Sequence, residues 1–371
     1  MRIGLIVPGF SADENDWCIP ALLNFVRALA EREEVVVFTL RYPHTRGVYK
    51  IGNAVVHSLG WADRRGRHSI TLWAAAIQQI ARQHRQRSFD VLHAFWASEP
   101  GIIAAWFSKR LPVIISLAGG ELIHLPDIEY GLTRRLHSRL LIRWALRRAS
   151  AVTAGSNYLS EIAQRHLAKR PVVAPLGVDL EMWRSASIPT ESLTLLSVGS
   201  LERVKGHEVL LRAFQQVVKE FPSARLIIAG SGSLHDSLQV AARQLGVVDR
   251  VDFCGAVAHD RLPDLYRSAV LFVQSSHYEA QGMALLEAAA CGLPIVGTRV
   301  GSLADIAPDA AIATAVGDVD QLTKAIATLL RNPNQRALMG RAARNEIERK
   351  YDLALAVERF VNLYQSLCVD H

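Results

Sequence analysis

Short, almost continuously apolar runs alternate along this chain with stretches of helix formers, and glycine recurs where one hands over to the other. Met1 to Pro8, Leu193 to Val198, Leu226 to Ala229 and Ala269 to Val273 are such runs, and loops containing Gly9, Gly199, Gly230 and Gly282 follow them. Strands without polar alternation are covered on both faces, and strands alternating with helices pair in parallel through helical crossovers. The pattern therefore predicts an α/β fold with parallel sheets. At 371 residues, half of them hydrophobic, the chain is too long for one ordinary domain and suits two. Ser, Ala, Pro and Thr interrupt the pattern between Trp183 and Ser192, which predicts the join there and a first domain of residues 1–185.

Several classes are set aside by composition. No run approaches eighteen uncharged apolar residues, and the N-terminus reads as a strand entering a glycine loop rather than a signal peptide. A cytoplasmic protein is expected. Cys18, Cys254, Cys291 and Cys368 lack zinc spacing and are expected to be reduced and structural. The positive charge is uneven: through residue 190 there are 24 Lys and Arg against 15 Asp and Glu, which leaves 18 against 20 for the remainder. Arg135, Arg139, Arg143 and Arg147 recur at helical spacing, with Leu136, Leu140, Leu141 and Trp144 toward other faces. Two readings stand: a solvated face over a buried one, or peripheral contact with anionic lipid on the inner face of a membrane. Arg64, Arg65 and Arg67, with Arg82, Arg85 and Arg87, add to the field without a motif. Nucleic acid is not expected, because no recognition fold is legible and stacking aromatics are not interleaved with the charge.

The most chemical segment runs from His277 to Pro294. It holds Glu279, Gly282 and Glu287 between a strand and a helix expected over Met283 to Ala290, which Gly292 and Pro294 stop. The free amides and positive dipole end of that helix favour a diphosphate, and Gly282 lets phosphate oxygens come close. Glu279 sits in the loop beside the anion. Glu287, eight residues on, can accept hydrogen bonds from ribose hydroxyls. Upstream, Lys205 stands at a helix start, where the macrodipole disfavours a cation unless an anionic ligand is present. Gly230-Ser-Gly232 lacks the third glycine of a dinucleotide fingerprint. Asp318-Val-Asp320 has a metal-like spacing but reads as a helix start, so no metal is assigned.

These segments together resemble the retaining glycosyltransferases of the group 1 family, glycosyltransferase family 4 (GT4). Glu279-x7-Glu287 with Gly282 inside it carries the resemblance, and so does Ser197-Val-Gly199-Ser200 leading to Lys205-Gly206. Leu226 to Gly232, Val251 to Gly255 and Val300-Gly301 match strand-end loops. Phe89 to His93, Ser116 to Glu121, Ala154 to Ser156 and Pro175 to Asp179 match landmarks of the first domain. The resemblance implies a GT-B fold: two Rossmann-like domains facing each other across a cleft. Residues 1–185 would bind the acceptor, residues 186–350 the nucleotide sugar, and a helix within residues 351–371 would cross back to the first domain.

It further implies a metal-independent hexosyltransferase that needs no cofactor, with a nucleoside diphosphate sugar as co-substrate. Glu279 and Lys205 are the catalytic candidates. Gly199, Ser200, Gly230 and Val257 join Gly282, Met283, Ala284 and Glu287 around the donor, and Gly119, Gly120 and Glu121 lie on the acceptor side. Acceptors would be sugars, lipid-linked groups or small molecules of glycolipid, cell-envelope polysaccharide or secondary-metabolite assembly. The chain departs from the family pattern at Ser200, where arginine is common, and at Ala118, where histidine is common. Its first loop lacks paired glycines, and Ser302 and Asp305 replace a glycine and a glutamate. A non-catalytic homologue and a sugar-nucleotide epimerase of the same fold remain as alternatives.

Overall fold

The computed structural model describes residues 1–61, 67–185 and 193–369. The expected join at Trp183 to Ser192 lies partly outside these residues, as do Arg64 and Arg65. The chain divides into two compact units, Met1–Gly177 with Leu353–His371, and Val178–Asp352.

In the first unit the strands are β1 (Arg2–Gly9), β2 (Glu34–Tyr42), β3 (Arg46–Ile51), β4 (Ala54–Leu59), β5 (Val91–Phe95), β6 (Val113–Leu117), β7 (Ala151–Ala154) and β8 (Val172–Val173). They form one sheet in the order β3-β4-β2-β1-β5-β6-β7-β8. Every pair is parallel except the β3–β4 hairpin. The crossover helices are α1 (Pro20–Ala30), α2 (Arg67–Gln86), α3 (Glu99–Ala105), α4 (Leu136–Arg148) and α5 (Asn157–Gln164). Proline opens α1, where its missing N–H costs nothing, and the Ser156 hydroxyl caps α5 by accepting from Leu159 N at 3.1 Å.

The second unit contains β9 (Thr194–Val198), α6 (His207–Glu220), β10 (Arg225–Ala229), α7 (His235–Gln244), β11 (Val251–Gly255), α8 (Leu262–Arg267) and β12 (Leu271–Gln274). It continues through α9 (Met283–Ala290), β13 (Ile295–Thr298), α10 (Ser302–Ile306), β14 (Ile312–Thr314), α11 (Val319–Arg331) and α12 (Pro333–Lys350). Its all-parallel sheet runs β11-β10-β9-β12-β13-β14, the doubly wound order. The strand order reverses between β9 and β12, and at such a switch point the loops beyond the carboxyl ends part to leave a crevice. Helix α9 has the bounds read from the sequence. Asp318 starts α11, its carboxylate accepting from Gln321 N at 2.9 Å.

The unit boundaries differ from the sequence reading by a few residues at each crossing. Val178 to Ser185 belong to the second unit because Trp183, 1% exposed, is anchored in its core, edge-on to Tyr266 and His259. Val178 N also donates to Tyr351 O at 2.8 Å, so the entering and leaving segments are held side by side.

The last helix, α13 (Leu353–Val369), returns to the first unit. Val357, Phe360, Val361 and Tyr364 share a core with Leu22, Phe25, Val26 and Leu29 of α1. The Phe25 and Phe360 rings meet edge to face at 5.0 Å. Fully buried His93 of β5 ties this helix in, with Nδ1 2.8 Å from the Tyr364 hydroxyl and Nε2 2.7 Å from Ser116 Oγ. Burial lowers the His93 pKa to about 3.

Because the folded ring stays neutral while the unfolded ring takes a proton near pH 6.5, the stability held by His93 is complete above that pH. It is lost as pH falls toward about 3. Thermal melts of His93→Gln should show a shallower decline between these limits than the parent. Tyr364→Phe leaves a buried ring nitrogen unpaired and should cost about 1–3 kcal/mol in urea denaturation at neutral pH.

Candidate active site

Lys205 and Glu279 come from the loops that follow β9 and β12, the two strands flanking the switch point. Lys205 Nζ and Glu279 Oε1 form an ion pair at 2.7 Å, and Ser276 Oγ donates to the same oxygen at 2.7 Å. The two side chains are 26% and 11% exposed, so the pair is shielded but reachable. Around it the loops lock together through hydrogen bonds to main-chain carbonyls: His277 N donates to Val204 O at 2.7 Å and Ser275 Oγ to Lys205 O at 3.0 Å.

Glycine lets neighbouring strand-end loops approach closely at two positions. A side chain at Gly206, whose φ is +64°, would start 2.2 Å from the Ser275 carbonyl oxygen. One at Gly230, φ +147°, would start 1.9 Å from the Gly199 carbonyl oxygen. A Cβ added at Gly199 would stand 3.6 Å from the Lys205 stem. Ser200 is exposed, and its carbonyl accepts from His207 Nε2 at 3.3 Å. Gly282 caps α9 at φ +99°, and the residues lining the small cavity beside it include Lys205, Glu279, Met283 and Ala284.

The structure thus gathers most of the expected donor residues at one strand edge, while Glu287 sits deeper. Its carboxylate accepts from the Tyr266 hydroxyl at 3.0 Å, and its other oxygen lies 3.6 Å from His259 Nε2. Tyr266 stays protonated as a donor, since burial and then the Glu287 charge raise its pKa well above the ordinary tyrosine value. Half-buried Val257, two residues before His259, packs on the same apolar cluster. Tyr266 and His259 escaped the sequence reading because neither belongs to a motif; each is brought to Glu287 by the sheet order.

On the first unit, Gly119 and Gly120 follow β6. Glu121 turns inward, 1% exposed, and accepts from Ala97 N at 3.2 Å, Ala118 N at 3.1 Å and Gly119 N at 2.7 Å. Burial raises its pKa against the pull of those amides. Glu121 therefore organises the loop instead of presenting a carboxylate from it. A side chain at Gly119 would press on the Trp96 indole, whose backbone holds φ +73°, a strained value for a bulky residue.

Arg135, Arg139, Arg143 and Arg147 are exposed on or beside α4, which buries Ile142, Ala145 and Leu146. Leu136 and Leu140 face solvent, 70% and 58% exposed, contrary to what a simple buried stripe would require. Among the described residues no helix is long and apolar enough to cross a membrane, and no group of three or more His, Cys, Asp or Glu is placed to hold a metal ion.

The family model described as glycosyl transferases group 1 matches residues 181–346, and that described as glycosyltransferase family 4 matches residues 21–182. A glycogen synthase of Mycobacterium tuberculosis is 31% identical over 85% of this chain and 76% of its own. Two further curated relatives match more narrowly, the chain spanning 34% and 44% of their lengths. Sucrose-phosphate synthase from Thermosynechococcus elongatus superposes with a TM-score of 0.86 at 17% identity, over 100% of both chains. The UDP-glucose complex of Anabaena HepE does so with 0.77 at 18% identity, over 99% of this chain and 100% of that one. The fold is GT-B, and the chain belongs to the group 1 glycosyltransferases, glycosyltransferase family 4.

Proposed function

We propose that this glycosyltransferase moves a sugar from a nucleoside diphosphate sugar to an acceptor hydroxyl, with retention of configuration and without a metal ion. The observation that carries the reading is the Lys205–Glu279 pair at the switch point, beside the first turn of α9. As the bond from the anomeric carbon to the diphosphate breaks, its electron pair passes to a β-phosphate oxygen. Lys205 and the amides of Met283 and Ala284 are the donors that meet this charge, fixed in place before it develops. The acceptor oxygen bonds to the same face of the carbon, and its proton leaves with the departing phosphate. Glu279 accepts hydrogen bonds from the sugar and supports the positive charge at the anomeric carbon. Glu287, aligned by Tyr266, holds the ribose. The UDP-glucose of the HepE complex makes a uridine nucleotide the first donor to try. Glycolipid, envelope polysaccharide and secondary-metabolite acceptors fit the family equally.

The exposed leucines of α4 favour a surface role for that helix. A solvated face has no use for Leu136 and Leu140 between arginines, whereas an anionic bilayer surface accepts both, each basic residue adding about 1 kcal/mol.

Calorimetric titration with UDP, GDP, ADP and TDP sugars tests the donor site. One of them should bind, Glu287→Ala should weaken it about tenfold, and Lys205→Ala and Glu279→Ala should lower transfer about a hundredfold or more. Binding by none of them sinks the assignment. For the membrane reading, sedimentation with phosphatidylglycerol vesicles should pull down the parent protein at low salt. The variant with Arg135, Arg139, Arg143 and Arg147 all changed to Gln should stay in the supernatant, and equal sedimentation of both would remove α4 from the interface.

A further inference from the structure

Strand β12 runs Leu271, Phe272, Val273 and then breaks its apolar pattern with Gln274 at the carboxyl edge of the sheet. Gln274 is only 6% exposed, and its buried Nε2 has no hydrogen-bond partner. A Cβ built on Gly282 would stand 3.3 Å from its Oε1, 3.9 Å from its Nε2 and 3.9 Å from Glu279 Cγ. The amide and the Glu279 stem therefore flank the start of α9. Lys205, Glu279 and His207 line the same cavity as Gln274.

His207 supplies the complementary group. Its Nε2 lies 3.3 Å from the Ser200 carbonyl, which can only accept, so Nε2 carries the proton and Nδ1 is an acceptor. Nδ1 is buried and also has no partner. Burial, with the Lys205 charge adding to it, lowers the ring's pKa to about 4, so it is neutral at physiological pH. One cavity thus offers an unmet donor and an unmet acceptor. A hydroxyl answers both, because it accepts and donates; a phosphate oxygen only accepts.

We propose that Gln274, with His207 of the same cavity, reads a hydroxyl of the transferred sugar and so helps to set which nucleotide sugar the site takes. This deepens the donor-site reading above and rests on it. A buried donor with no partner costs the fold free energy, and a ligand hydroxyl would recover that cost on binding.

The test titrates the parent, Gln274→Leu and Gln274→Glu with UDP-glucose, UDP-N-acetylglucosamine and GDP-mannose, and with UDP and GDP alone, alongside thermal melts. Gln274→Leu should weaken the preferred nucleotide sugar about tenfold or more, leave the bare nucleotide within about twofold, and melt no lower than the parent. Gln274→Glu keeps the volume and should show the same split, which serves if the leucine variant does not fold. Unchanged affinity for every nucleotide sugar overturns the proposal. So does a loss shared equally by the bare nucleotide, which would move the contact to the phosphates, or a loss that tracks a lower melting temperature. Failure of the parent to bind any nucleotide sugar is a separate outcome: it overturns the donor site itself.

Discussion

Lys205 and Glu279 stand 74 residues apart in the chain and meet because β9 and β12 are adjacent in the sheet while their helices leave in different directions. The remainder of the candidate site depends on that adjacency. It sets the start of α9 beside the lysine and opens the cavity that Gln274 and His207 line, while Ser276, three residues before Glu279, holds that carboxylate from within its own loop. The backbones of these loops come close where side chains are missing. Gly206 slides beneath the Ser275 carbonyl, so glycine here governs how closely the Lys205 and Glu279 loops approach, and Gly230 does the same for the neighbouring loop against the Gly199 carbonyl.

The first unit uses the same sheet logic for a different purpose. Its strand-end loop is tied from inside by Glu121, whose carboxylate collects three main-chain amides. Its sheet is closed by a helix from the far end of the chain, held through the His93–Tyr364 contact and the Phe25–Phe360 rings. A neutral buried histidine suits that place, since a charged one would have to be paired. Polar groups in this unit brace the backbone, whereas in the second unit several are left facing a cavity.

Local patterns were legible where local forces decide. The bounds of α9 follow from helix formers ended by Gly292 and Pro294, the start of α11 from Asp318, and the parallel sheets from unbroken apolar runs. Group 1 membership was legible from the order of motifs. The inward turn of Glu121, the Tyr266 and His259 partners of Glu287 and the solvent-facing Leu136 and Leu140 were not legible. Each depends on which element packs against which, and a side chain's period along one helix does not say which neighbour covers it. The unit boundary moved for the same reason: Ser and Pro mark a loop, but Trp183 belongs to the core that buries it.

By itself the sequence determined the fold class, the family and the residue types of the candidate site, because period, glycine placement and charge are written along the chain. Tertiary structure alone decided that Lys205 pairs with Glu279, that Glu287 lies deeper against Tyr266, and that Nε2 of Gln274 is buried without a hydrogen-bond partner. Those outcomes are set by strand order and close packing, which join residues that no local pattern connects.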